Sequence, residues 1–93
     1  MYINGHHYRN RLHHDLHEVL CGEADKRKQQ SPEEWVLGER AAMWEAVNQY
    51  RTQLGKKPLT IEDVERVEQS AVGHSDYGTK YALYCTELVE NTA

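Results

Sequence analysis

Six histidines stand in this 93-residue chain, and five of them fall within the first 17 residues. His13 and His17 are four residues apart, and Cys21 continues the line four residues further on. On a helix these three share one face. Two imidazoles at that spacing can ligate one zinc ion, and a thiolate is a chemically suitable third ligand. His6, His7 and His14 add imidazole close by. Other zinc signatures do not accompany the trio. His14, Asp15 and Leu16 stand between His13 and His17, so there is no HExxH, and there is no CxxC. His13, His17 and Cys21 thus form a candidate metal site, with zinc as its cofactor, set against a plain helix face rich in imidazole. Mild acidification through the ordinary histidine pKa of ~6.5 would also charge the cluster, as in a pH switch.

A second run of chemical interest is Gly73-His74-Ser75-Asp76-Tyr77. It holds histidine, serine and aspartate. A catalytic triad needs the hydroxyl on one imidazole nitrogen and the carboxylate on the other, and contiguous residues at a helix start do not reach that geometry. A helix corner accounts for the run instead. Gly73 stops one helix, Ser75 caps the next and Asp76 suits its positive end. His74, Asp76 and Tyr77 then lie beside an acidic face made of Glu62, Asp63, Glu65 and Glu68. No coherent catalytic set emerges, so the residues do not predict an enzyme. They predict a non-enzymatic protein-interaction or regulatory module, with His74, Asp76, Tyr77, Glu62 and Glu65 as its partner-binding residues.

Charge narrows the partner. The formal net charge is −4. Residues 1–30 carry +1, and residues 31–93 carry −5, from six basic and eleven acidic side chains. That disfavours nucleic acid and suits a basic protein surface. Binding of nucleic acid by the more basic N-terminal third is the alternative. The clusters Lys26-Arg27-Lys28 and Lys56-Lys57 are short and read as solvated loops. The two cysteines, Cys21 and Cys85, are too few for a disulfide framework and are expected to be reduced thiols, with one Cys21–Cys85 bridge as the alternative. No apolar run approaches the ~20 residues of a membrane span, and no secretory signal is expected.

The elements that must position these residues are helical. The fold expected is a single all-α domain of four helices over residues 1–93, with residues 1–7 and 23–30 flexible. Tyr8, Leu12, Leu16, Val19 and Leu20 share one face of a first helix over 8–21, with the histidines beside that stripe and Gly22 as its stop. Ser31-Pro32-Glu33-Glu34 opens a second helix with a capping box and runs to Leu54, before Gly55. Val36, Val47, Tyr50 and Leu54 lie within about 40° of Met43 on its wheel, while Trp35 and Trp44 flank them on opposite sides. So wide an apolar surface predicts a central helix with neighbours on two sides, and it admits completion of the core by a homodimer. Gly38 marks a candidate close crossing. Thr60 caps a third helix, with Leu59 and Val64 as a hydrophobic staple and Val64, Val67 and Ala71 as its inner stripe. Tyr77, Tyr81, Tyr84 and Leu88 pattern a fourth. No strand pattern competes. Of the tyrosines, Tyr2, Tyr8 and Tyr77 are expected at the surface, and Tyr50, Tyr81 and Tyr84 in the core.

From Glu39 to Val89 the chain resembles small accessory proteins of tailed bacteriophages and prophages. The resemblance rests on Tyr50-Arg51, Leu54-Gly55-Lys56, Gly73-His74-Ser75-Asp76-Tyr77 and Tyr81-Ala82-Leu83-Tyr84. It implies a bacterial cytoplasmic setting and a role in binding a host or phage macromolecule.

Overall fold

A computed structural model describes residues 1–3, 5–24 and 26–91. Two short strands, β1 (Tyr2–Ile3) and β2 (His6–His7), precede four helices: α1 (Arg11–Ala24), α2 (Pro32–Gln53), α3 (Ile61–Ala71) and α4 (Tyr77–Asn91). A single 3₁₀ turn, Arg27–Gln29, lies between α1 and α2. The fold is all-α with four helices, as expected.

The capping chemistry of α2 follows the sequence. The Glu34 N–H donates to Ser31 Oγ at 3.3 Å, and the Ser31 N–H donates back to Glu34 Oε2 at 3.4 Å. At the start of α3, Asp63 Oδ2 accepts from the Thr60 N–H and hydroxyl at 3.0 and 3.1 Å. Those donors hold the Asp63 carboxyl below its ordinary value, the backbone N–H most strongly. Asn48 on α2 grips the connector before α3 by both backbone groups of Leu59, and the Trp44 indole donates to the same carbonyl at 2.9 Å.

Leu16 and Leu20 from α1, Met43 and Val47 from α2, Val64 and Ala71 from α3, and Tyr81, Ala82, Cys85 and Val89 from α4 build one core. The central role expected for α2 is shared: α2 and α4 each pack on every other helix, with α1 and α3 outermost. Gly38 is not a tight crossing, since a Cβ there would meet only Glu23 Oε2, at 3.6 Å. The closer approach is at Gly78, where a Cβ would stand 3.4 Å from His17 Nε2 and α4 rides over α1.

Several boundaries and faces differ from expectation. Tyr2–Ile3 and His6–His7 form an antiparallel strand pair, Tyr2 opposite His7 and Ile3 opposite His6. The Met1 ammonium donates to the Tyr8 carbonyl at 2.9 Å, and the Tyr8 N–H returns a bond to Met1 at 2.6 Å. Strands of two residues are too short to display alternation in the sequence. Helix α1 passes through Gly22 to Ala24, because glycine ends a helix only when it adopts positive φ, and Gly22 does not. Gly55 does, at φ +73°, and α2 ends before it. Leu54 therefore caps the helix and is 61% exposed instead of extending the Met43 stripe. Tyr8, expected at the surface, is buried because the N-terminal hairpin closes over it.

The least anticipated side chain is Arg51, which is fully buried. Its Nε donates to the Lys57 carbonyl at 2.8 Å and its NH1 to the Leu88 carbonyl at 2.6 Å. Lys56, read from sequence as a solvated loop residue, donates to the Val89 and Glu90 carbonyls at 2.5 and 3.0 Å. These carbonyls lie in the last turn of α4, where the helix leaves its acceptors unpaired and its dipole is negative. Two cations thus close the end of α4 and tie it to the turn after α2. Arg51→Met keeps the bulk and removes the donors. It should lower stability by about 2–4 kcal/mol in urea unfolding, with Lys57→Ala as a near-neutral surface control.

Candidate functional site

The imidazoles gather around Tyr8. Its ring meets those of His13, His14 and His17 at centroid distances of 5.0, 5.1 and 5.5 Å, and His6 stacks edge-on against His17 at 5.2 Å. The Tyr8 hydroxyl lies 2.6 Å from His17 Nδ1. Burial pushes the Tyr8 phenol up, so it keeps its proton. The other ring nitrogen of His17, Nε2, faces Cys21 Sγ at 3.9 Å. His13 is buried, and both its nitrogens serve the main chain. Nδ1 accepts from the Arg9 N–H at 3.0 Å, which leaves Nε2–H to donate to the Thr79 carbonyl at 2.9 Å. The sequence placed His13 beside the apolar stripe; the structure places it inside, as a neutral crosslink between the N-terminal turn and α4.

The expected metal trio is accordingly divided. His17 and Cys21 face each other, while His13 is turned to backbone partners. Among the described residues no group of three or more His, Cys, Asp or Glu side chains converges as a metal site would require. No disulfide joins Cys21 and Cys85: Cys21 is exposed and Cys85 lies in the core. Burial holds the Cys85 thiol far above its ordinary pKa, so it is protonated and inert.

The five predicted partner residues fall into three places. Glu62 is exposed on α3, and Glu65, half-buried, faces Arg40 at 3.5 Å. His74 and Asp76 are exposed at the α3–α4 corner, with the His74 ring 6.5 Å from that of Tyr84. The helix starts at Tyr77, and the Lys80 N–H bonds the Asp76 carbonyl, so Asp76 and not Ser75 stands at the boundary. Tyr77 turns inward. Its hydroxyl donates to Glu39 Oε2 at 3.2 Å, and its ring meets Tyr81 edge-on at 5.6 Å.

This inward turn gives Tyr77 a place in a cavity of about 310 Å³ between α2 and the end of α3. Trp35 and Val36 line it from α2, Glu68, Val72 and Gly73 from α3 and its turn, and Tyr77 from α4. Val72, at the edge, is 64% exposed. Glu68 was read as part of the acidic outer face, yet it is 4% exposed. The signal was available: Glu68 stands four residues after Val64 and three before Ala71, on the inner stripe of α3. One of its oxygens, Oε1, accepts from Arg40 NH2 at 2.8 Å. The other, Oε2, is buried without a hydrogen-bond partner, as are Arg40 Nε and the Tyr81 hydroxyl. Burial pushes the Tyr81 phenol far above its ordinary value. A wider groove of about 740 Å³ lies between α3 and α4, with Val67, Tyr84 and Leu88 beside Asp63, Arg66 and Glu87.

No family model, no curated protein and no solved structure matches the chain. Among the described residues no helix is long and apolar enough to cross a membrane.

The histidine hub makes a pH prediction. Burial holds His13 and His17 below the ordinary value, and His6 adds to the effect on His17. The unfolded chain therefore takes up these protons first, at ~6.5, so stability is full above that pH and is lost as pH falls below it. Urea midpoints should decline between about pH 7 and pH 5, above the ordinary carboxylate range. His17→Gln should flatten that decline. A wild-type midpoint constant over this interval would show that the imidazoles titrate alike in both states.

Proposed function

We infer that the protein is a non-enzymatic interaction module, and that it binds a basic surface of another protein through the face formed by α3, the α3–α4 corner and the adjoining turn of α2. The observation that carries this reading is the cavity at that face. It combines two aromatic walls, an exposed valine at its edge and a buried carboxylate. Interface centres are built from aromatic residues in desolvated pockets with a polar rim. The surrounding charge supports the choice of partner. Glu62 and Glu65 lie on α3 and Asp76 at the corner that follows it, and the chain from residue 31 onward is acidic. Acidic rims steer basic partners and set association rates. The resemblance to bacteriophage accessory proteins is consistent with a modulator that acts by binding a host or phage protein in the bacterial cytoplasm.

Affinity capture from a bacterial lysate tests the reading. A triple variant, Glu62→Lys, His74→Ala and Asp76→Ala, changes only exposed side chains and should leave the far-UV circular dichroism intact. Proteins captured by the wild type should be lost or strongly depleted with the triple variant. An identical captured set would remove this face from the interaction.

A further inference from the structure

We propose that the cavity walled by Trp35 and Tyr77 is a receptor for one cationic side chain, a lysine ammonium or an arginine guanidinium, presented by the protein partner. This rests on the interaction reading above and specifies the chemistry that its central pocket recognises. Glu68 is 4% exposed on α3. A carboxylate withdrawn from water needs several hydrogen bonds, because desolvation of a charge is costly unless it is paired. Arg40 supplies one, to Oε1. Oε2 has none, although it is buried and its side chain lines an open cavity. Arg40 is also shared: its NH1 faces Glu65 at 3.5 Å while its NH2 holds Glu68. Two carboxylates thus stand against one guanidinium, and one acceptor of Glu68, a residue that lines the cavity, is left over.

The walls suit the same ligand. Aromatic faces attract a cation through the ring quadrupole, and tryptophan does so best. The Val36 and Val72 side chains supply apolar contact for the methylene stem that precedes a lysine or arginine head group. Gly73, at φ +98°, turns the chain at the cavity's edge, and a Cβ there would meet nothing within 4 Å. The entrance on that side is therefore open. A cavity of about 310 Å³ is of a size for one side chain and not for a helix or a strand. The α3–α4 groove offers no comparable signal, since its Asp63 and Arg66 are paired with each other on an exposed face.

Three capped pentapeptides with a central lysine, arginine or norleucine, otherwise alanine, provide the test with the folded wild-type chain. The Trp35 indole N–H and the Gly73 amide are followed by ¹H–¹⁵N NMR. The lysine or the arginine peptide should shift both signals saturably, and the pair separates the two head groups. The norleucine peptide should leave them in place. Glu68→Gln retains the shape and should weaken the cationic peptide by about tenfold or more, while Glu45→Gln, an exposed change elsewhere on α2, should not alter it. Trp35→Leu should weaken binding as well and guards against a Glu68 variant that fails to fold. Equal binding of the norleucine peptide would overturn the proposal in favour of an apolar occupant. Concentration-dependent shifts without peptide would overturn it in favour of a second copy of the chain. No saturable shift with either cationic peptide, while the captured proteins still depend on Glu62, His74 and Asp76, would overturn the pocket and leave the interaction face standing.

Discussion

A guanidinium enclosed where two helices end is the constraint on which the packing depends. Arg51 occupies the last turn of α2 and reaches the Lys57 and Leu88 carbonyls from a site with no solvent access. Those acceptors belong to the α2–α3 connector and to the last turn of α4. Lys56 completes the closure on Val89 and Glu90. Carbonyls at a helix end must find donors, and a fixed positive charge there is favoured by the dipole as well. The arrangement sets where α4 stops relative to α2. With that end tied, and with Asn48 and Trp44 holding Leu59, α3 has little freedom in where it begins. The other end of the bundle is tied by imidazole: His13 bonds Thr79 on α4, and Tyr8 bonds His17 on α1.

Between these two ties the interior becomes polar on one side. Arg40, Glu68 and Tyr81 meet where α2, α3 and α4 converge, and each keeps a buried polar atom without a partner. Natural interiors satisfy almost all such atoms, so a cluster of three is a departure with a location. It lies under the cavity of Trp35 and Tyr77, next to the exposed edge of α3. A closed apolar core there would be simpler to stabilise. The polar interior is intelligible if the cavity receives a cation from a binding partner.

Much of this organisation was legible in the residues. Ser31-Pro32-Glu33-Glu34, Thr60 with Asp63, and Gly55 and Gly73 each act through local backbone chemistry, and local chemistry is what a single sequence displays. The helices, their order and most of the core followed from spacing. What spacing assigned wrongly, or in the case of Arg51 did not assign, were side chains whose polarity hid their position. His13, Arg51 and Glu68 are polar and buried, and their partners are backbone groups or side chains distant in the chain: Thr79, Leu88 and Arg40. Such partners become visible only when the helices are assembled. Tyr8 was misplaced because it precedes α1, and only the pairing of two very short strands brings the N-terminus over it. Of the candidate interaction residues, Tyr77 was found by its place at a corner, while Trp35 and Val36 lay on a distant helix with no motif to connect them.

The most direct measurement of where a basic segment docks is a set of intermolecular nuclear Overhauser effects between the wild-type chain and the lysine or arginine peptide. Contacts from the methylenes beside the charged group to the Trp35 and Tyr77 ring protons are the predicted result. Contacts to Val67, Tyr84 and Leu88 in the α3–α4 groove, with none to Trp35, would contradict the account.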